Sequence, residues 1–287
     1  MIPGKFEYHV PADVGEAVAM LRRYDDEAKL LAGGQSLIPL MRFRLAQPEH
    51  LIDISRLPGL SHVEERNGHL AIGALTTEAA LEASELVRDH YPILHDATRV
   101  IADPLVRNLA TVGGNVAHAD PANDHPAVML ALRAEVVATG PDGERTIPVD
   151  DFFVDTFTTS LRPDEVLTEI RVPHHRSGGR GAYTKLERKV GDFAIAAVAA
   201  QLTIREGTIV EAGVAFTNVG PSPVRAVATE AALVGKPATP ATFAAAAEVA
   251  AGECDPASDL RGPADYKRSV VRTLTERTLA KAAERAG

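Results

Sequence analysis

Lys29-Leu30-Leu31-Ala32-Gly33-Gly34-Gln35-Ser36-Leu37-Ile38-Pro39 is the stretch whose reading decides the fold. Its apolar opening reads as a short strand over 29–32 that delivers a glycine pair and two polar side chains. The run 37–41 then opens a helix, with Pro39 in its first turn, where a missing N–H does no harm. A matching frame recurs at Thr111-Val112-Gly113-Gly114-Asn115. A glycine pair lets backbone approach a ligand closely and opens positive φ, and successive N–H groups in such a turn form an anion-binding nest. Two such loops could hold a dinucleotide diphosphate from two sides, or simply be two tight turns packed in a mixed domain. Neither has the G-x-G-x-x-G or G-x-x-x-x-G-K-[ST] spacing, so a nicotinamide-type site and a P-loop are poorly supported.

Outward from the first loop, residues 13–24 read as an amphipathic helix with Val14, Ala17, Val18 and Leu21 on one face. Asp13 is its expected N-cap and Glu16 stands at the capping-box position. A strand over 50–54 completes a compact β-α-β unit, taken as residues 1–55. Beyond it, Asn67-Gly68 between short apolar runs predicts a hairpin. Helices are expected over 76–86, 92–101 and 124–132, and strands over 135–139, 145–149 and 166–172. The glycine-rich stretch 173–181 reads as a linker. Two long strands, 196–205 and 209–218, turn at Glu206-Gly207. Alanine-rich helices follow over 226–234 and 241–251. A last helix over 264–284 places Tyr266, Val270 and Leu274 inside and Lys267, Arg268 and Arg277 outside. The whole is an α+β chain in three parts, 1–55, 56–177 and 178–287.

Composition narrows the chemistry. The 287 residues are 45% apolar, and 39 acidic against 30 basic side chains give a net charge of −9. No Lys/Arg stripe marks a nucleic-acid partner, and no apolar run is long enough for a membrane span. A signal peptide is not expected from Met1-Ile2-Pro3-Gly4-Lys5, so the expected location is cytoplasmic. Cys254 is the single cysteine; no disulfide, zinc–thiolate site or iron–sulfur cluster follows from it. The ten histidines are scattered, and no metal site is expected in this chain. His118, Asp120, Asn123 and Asp124 form a polar cluster that fits either acid–base work or caps and turns. Lys185, with Glu187, Arg188, Lys189 and Asp192, points either to a cleft or to solvent. With no catalytic set in view, a bound redox cofactor that brings its own chemistry fits the pattern.

Further motifs carry a resemblance. Ile2-Pro3-Gly4, the two glycine frames, Ala46-Gln47-Pro48-Glu49-His50-Leu51, Ile101-Ala102-Asp103-Pro104, Asp120-Pro121-Ala122-Asn123-Asp124 and Lys185-Leu186-Glu187-Arg188-Lys189-Val190-Gly191-Asp192 occur in this order across the chain. In them the sequence resembles the FAD-binding medium subunits of aerobic molybdenum-containing carbon monoxide dehydrogenases, within the xanthine dehydrogenase (molybdenum hydroxylase) family. The resemblance implies a two-part FAD-binding unit of the vanillyl-alcohol-oxidase-like (PCMH) type and a C-terminal flavoprotein domain. It implies non-covalent FAD held by Ala32, Gly33, Gly34, Gln35, Ser36 and Leu37 and by Thr111, Gly113, Gly114 and Asn115, largely through backbone N–H groups. Asp124 corresponds to an aspartate on the ribityl or ribose hydroxyls, Lys185 to a lysine at the pyrimidine edge of the ring, and Ile101 and Ala102 to residues packed near the flavin. Close relatives carry tyrosine where Phe193 stands here, and other members carry histidine at Gln35.

The implied role is to pass electrons from two [2Fe–2S] clusters on a small subunit to an external quinone-like or cytochrome-linked acceptor. The molybdenum cofactor and the oxidation of CO belong to a large subunit. The implied assembly is a dimer of heterotrimers, in the cytoplasm or peripheral at the inner face of its membrane. The alternatives are the flavin subunit of an aldehyde, purine or N-heterocycle dehydrogenase, a stand-alone flavin oxidoreductase, and a non-catalytic binding module.

Overall fold

A computed structural model describes residues 2–174 and 179–286. Its first sheet is parallel, ordered β1-β3-β2 from β1 (Glu7–His9), β2 (Ala28–Leu31) and β3 (His50–Asp53). Helix α1 (Val14–Tyr24) starts where Asp13 accepts from the Glu16 N–H at 2.8 Å, and Glu16 returns to the Ala12 N–H at 2.7 Å. It buries Ala17, Val18 and Leu21 against Ile52 and Ile54. Helix α2 (Leu37–Arg42) follows the first glycine loop. Strand β1 is an addition to the sequence reading: three residues in a polar, largely exposed segment carry no apolar alternation to betray them.

The second sheet is antiparallel, ordered β4-β5-β10-β6-β7. It contains β4 (Val63–Arg66), β5 (His69–Gly73), β6 (Glu135–Gly140), β7 (Gly143–Pro148) and β10 (Val166–Pro173), beside a ribbon of β8 (Phe153–Asp155) and β9 (Thr158–Thr159). Asn67 at φ 51° and Gly68 at φ 80° make the expected hairpin between β4 and β5. Helices α3 (Glu78–Ala83) and α4 (Glu85–His90) replace the single helix expected over 76–86. The break falls at Ser84, whose hydroxyl accepts from the Val87 N–H and so starts a second helix. Then come α5 (Pro92–Arg99), α6 (Pro104–Arg107), α7 (Val112–His118) and α8 (Asp124–Leu132). Every residue of α8 is buried, the apolar run 126–132 together with the leading Asp124 and His125.

The third sheet, ordered β11-β12-β13-β14, is formed by β11 (Gly179–Glu187), β12 (Ala194–Arg205), β13 (Thr208–Thr217) and β14 (Val224–Arg225). Its strand β12 is buried on both faces. Ala197 and Ala199 join the core that holds α5 and α8, while Ala196, Val198, Ala200 and Leu202 face the opposite core. That second core takes in α10 (Pro240–Gly252) and α11 (Ala264–Ala286), with α9 (Val227–Leu233) at its edge. The first core is continuous from the second sheet through α5 and α8 to the third. Strands reach into the expected linker from both sides, and its residues 175–178 lie outside the described residues. One face of α11 is a correction: Lys267 is buried and ion-paired to Asp259 at 2.8 Å, whereas Tyr266 is 45% exposed. A lysine stem buries readily once its ammonium finds a carboxylate, which hydropathy alone does not register.

Candidate functional site

The two glycine frames meet in space. A Cβ at Gly33 would run into the Leu109 carbonyl, so this backbone contact admits glycine only, and Gly34 sits at φ 72°. Among the described residues the N–H groups of Gly33, Gly34, Gln35 and Ser36 have no hydrogen-bond partner. The Gln35 amide folds back to the Gly33 carbonyl at 3.0 Å, and Ser36 stands at the N-cap of α2 with its hydroxyl unused by that helix. Four consecutive free donors beside a left-handed glycine form an anion cradle.

The second frame is built differently. Its glycines are in the first turn of α7 rather than in a loop before it. Thr111 is the N-cap and accepts from the Gly114 N–H at 3.1 Å. The Val112 and Gly113 N–H groups donate to Thr76 and Ala74 carbonyls at 2.9 and 3.0 Å, and that of Asn115 to the Thr111 carbonyl. These donors are satisfied within the protein, which corrects the expectation of backbone donation here; the available groups are side chains. The Asn115 Oδ1 is buried and without a partner. Such an acceptor is costly unless a ligand supplies the donor.

From Asn115 a polar chain leads inward. Its carbonyl accepts from the Asn123 amide at 3.0 Å, and Asp124 follows in the first turn of α8. The buried Asp124 accepts from the Tyr183 hydroxyl at 2.5 Å and from Lys185 Nζ at 3.0 Å. Burial raises the Asp124 pKa despite the opposing pull of Lys185 and Tyr183, and burial beside this carboxylate drives the Tyr183 phenol well up. Lys185 is 2% exposed along its side chain; of the two alternatives, solvent is excluded. It also donates to the Val100 carbonyl at 2.9 Å and lies 3.4 Å from Glu187 Oε2. Geometry makes the last contact an ion pair rather than a hydrogen bond, since that oxygen has no hydrogen-bond partner.

Lys185 thereby anchors the segment that carries Ile101 and Ala102. Arg107, paired to Glu82, donates to both of their carbonyls at 2.9 and 3.3 Å. Ala102 is at φ 46°, and a Cβ on Gly191 would come within 2.6 Å of its oxygen. Phe193 follows that turn, 46% exposed, with the Arg261 guanidinium 5.6 Å from its ring centre. Thus Asp124, Lys185, Ile101 and Ala102 form one neighbourhood, adjoining the glycine frames through Asn123.

Asp120 and Asn123 serve a turn and a tether, with Asp120 accepting from the Ala122 N–H at 2.9 Å. Burial lowers the His118 pKa, and its ring leans on Phe157. The acid–base alternative for this cluster has no geometry behind it. Tyr183 was missed by sequence reasoning, although its two-residue offset from Lys185 on β11 puts both on one face. So was the fully buried pair of His125 Nε2 and Glu78 Oε2 at 2.7 Å beneath Asp124. Burial opposes charge on His125, but Glu78 and Asp124 outweigh it and raise its pKa.

A dinucleotide of the FAD type fits what these residues offer: free N–H groups for a diphosphate and an orphaned acceptor for hydroxyl groups. Comparison with known proteins points the same way. Residues 4–175 match the FAD binding domain in molybdopterin dehydrogenase, and residues 181–282 match the CO dehydrogenase flavoprotein C-terminal domain. The carbon monoxide dehydrogenase medium chain of Hydrogenophaga pseudoflava is 47% identical over 279 residues, 97% of each chain. That of Afipia carboxidovorans is 41% identical over 290 residues, covering 100% of this chain and 99% of its own. A solved structure of carbon monoxide dehydrogenase from Hydrogenophaga pseudoflava, lacking the Mo-pyranopterin moiety, contains a chain that superposes with a TM-score of 0.96. It is 49% identical, with 100% of this chain and 99% of that one covered.

Proposed function

This chain belongs to the family of FAD-binding medium subunits of molybdenum-containing dehydrogenases, of the carbon monoxide dehydrogenase type, and we propose from that premise how its residues hold and serve the flavin. It is the FAD-containing oxidoreductase subunit of a multi-subunit complex. The first loop, Ala32 to Leu37, takes the diphosphate on its free N–H groups. Thr111 and Asn115 add side-chain bonds, and Gly113 and Gly114 keep the helix end close to the cofactor. Asp124 and Lys185 act as a locked pair that fixes Ile101 and Ala102 against the flavin, with Phe193 at the rim. Residues 1–55 and 56–177 clasp the cofactor, and residues 178–287 cover one side.

The chemistry that bound FAD supplies is electron transfer between the two [2Fe–2S] clusters of a small subunit and an external quinone-like or cytochrome-linked acceptor. A large molybdenum-cofactor subunit carries CO oxidation, CO + H2O to CO2 with two electrons and two protons, and the assembly is a dimer of heterotrimers. Among the described residues no helix is long and apolar enough to cross a membrane; we place the complex in the cytoplasm or peripherally at its membrane.

One observation carries the reading: four free N–H groups in the first loop beside the orphaned Asn115 oxygen. Denaturing the flavin-loaded protein should release about one FAD per chain, since one cradle holds one diphosphate. Asn115→Ala should weaken FAD binding by about fivefold or more, the equivalent of one hydrogen bond, with the fold kept because that oxygen bonds nothing within the protein. FMN in the extract, or unchanged affinity in Asn115→Ala, would overturn this placement.

A further inference from the structure

At the opposite end of the first sheet from the flavin loops, three ligand-type side chains converge on one point. In the parallel register Glu7 lies beside His50, and His9 falls two residues along β1, on the same face as Glu7. His9 Nε2 and His50 Nδ1 are 3.0 Å apart, and Glu7 Oε2 is 3.8 and 3.4 Å from them. Tyr24, at the end of α1, stacks on His50 at 3.8 Å between ring centres and on His9 at 5.0 Å, holding both imidazoles edge to edge. The histidine side chains are 19% and 14% exposed, so the site is sheltered but open on the carboxylate side.

The triangle of these three atoms has a size that a metal recognises. A point equidistant from them lies about 2.0 Å from each, and zinc bonds imidazole nitrogen and carboxylate oxygen at about 2.0–2.2 Å. An ion lifted off that plane keeps all three ligands to one side, in a distorted tetrahedron, and leaves a fourth position for water. Imidazole and carboxylate donors favour divalent first-row transition metals. We propose that Glu7, His9 and His50 form a three-ligand site for such a cation, represented by Zn2+, that staples β1 to β3. The third ligand, His50, comes from a different strand than Glu7 and His9, so no sequence spacing reveals the set. Cys254 offers no competing ligand, because burial pushes its thiol up to about 12.

The test is Zn2+ titration of the full FAD-loaded chain, freed of adventitious metal, read by a competing chromophoric chelator and by thermal unfolding. The expected result is about one saturable Zn2+ per chain, with a higher unfolding temperature. His9→Gln and His50→Gln should abolish both effects. Glu7→Gln, at an exposed carboxylate, should keep the fold and lower affinity by about tenfold or more. Retained FAD identifies variants that still fold, and Co2+ should give the visible bands of a four-coordinate site in wild type and in neither histidine variant. No saturable uptake by wild type, or uptake equal in wild type and in folded His9→Gln and Glu7→Gln, would overturn the proposal.

Discussion

Replacing Lys185 by methionine should cost the chain several kcal/mol, and the cost should depend on pH. The ammonium lies 3.0 Å from Asp124 Oδ2, with the two side chains 2% and 6% exposed. At an effective dielectric near 20, two unit charges at that distance attract by about 5 kcal/mol. Methionine fills similar volume and needs no desolvation, which offsets part of the loss, but it leaves a buried carboxylate without its cation. Removing one member of a buried pair costs about 3–5 kcal/mol. The carboxylate has one escape, which is to take up a proton. Its pKa in the folded chain is already raised by burial, and without Lys185 it rises further. A folded-state pKa above the unfolded value gives stability that is present below the unfolded pKa and lost as pH rises through the folded one. The deficit of Lys185→Met should therefore be small in acid and grow toward neutral pH. Urea unfolding of both proteins, stepped from about pH 5 to pH 8, measures it. The double variant Asp124→Asn with Lys185→Met should recover much of the loss. A deficit under about 1 kcal/mol and flat with pH, the behaviour of a solvated pair, would refute the argument.

Gly33→Ala drives a methyl into the Leu109 carbonyl, a backbone atom that cannot rotate away, whereas a methyl at Gly114 meets the Thr111 hydroxyl at 2.7 Å. Gly33→Ala should thus lose FAD more completely than Gly114→Ala, measured as flavin per protein after gel filtration; full retention by Gly33→Ala would show that the two frames do not need that contact. Cys254 is buried, with its thiol pushed up to about 12, chiefly by burial, so native protein should stay unreactive to a thiol reagent at about pH 8 and react once denatured. Rapid native labelling would contradict that environment.

Much of the architecture was legible because periodicity and turn chemistry agree locally. The Asp13 cap, the Asn67-Gly68 and Glu206-Gly207 hairpins and the long strands β12 and β13 all follow from signals within a few residues. The failures have other causes. Strand β1 exists because β3 offers it a parallel edge, a long-range pairing that three polar residues cannot announce. The break at Ser84 reflects a local choice between continuing a helix and capping a new one. Lys267 enters the core because Asp259 waits across a turn. For β1 and Lys267 the deciding partner lies outside the periodic window, whereas at Ser84 a local cap overrides the period.

The functional site divides along the same line. Glycine frames are visible in sequence because only glycine tolerates the contact at Gly33 or the φ of Gly34. What the sequence hides is which donors remain free. Both frames read alike, yet one leaves four N–H groups unpaired while the other spends its own on Thr76, Ala74 and Thr111. The difference arises from the turn after β5, whose carbonyls accept from the start of α7; among the described residues no carbonyl accepts from the loop before α2, although that of Leu109 packs against Gly33. The two loops are therefore unequal: the first leaves its donors free, and the second is a rigid wall bearing Asn115. Lys185 shows the same limit. Its expected cationic influence on a flavin ring is tempered by Asp124 at 3.0 Å and Glu187 at 3.4 Å. At equal and opposite charge the Asp124 partner cancels most of the ammonium's field beyond a few ångströms. What remains is mechanical, since the same ammonium grips the Val100 carbonyl and so sets the position of Ile101 and Ala102.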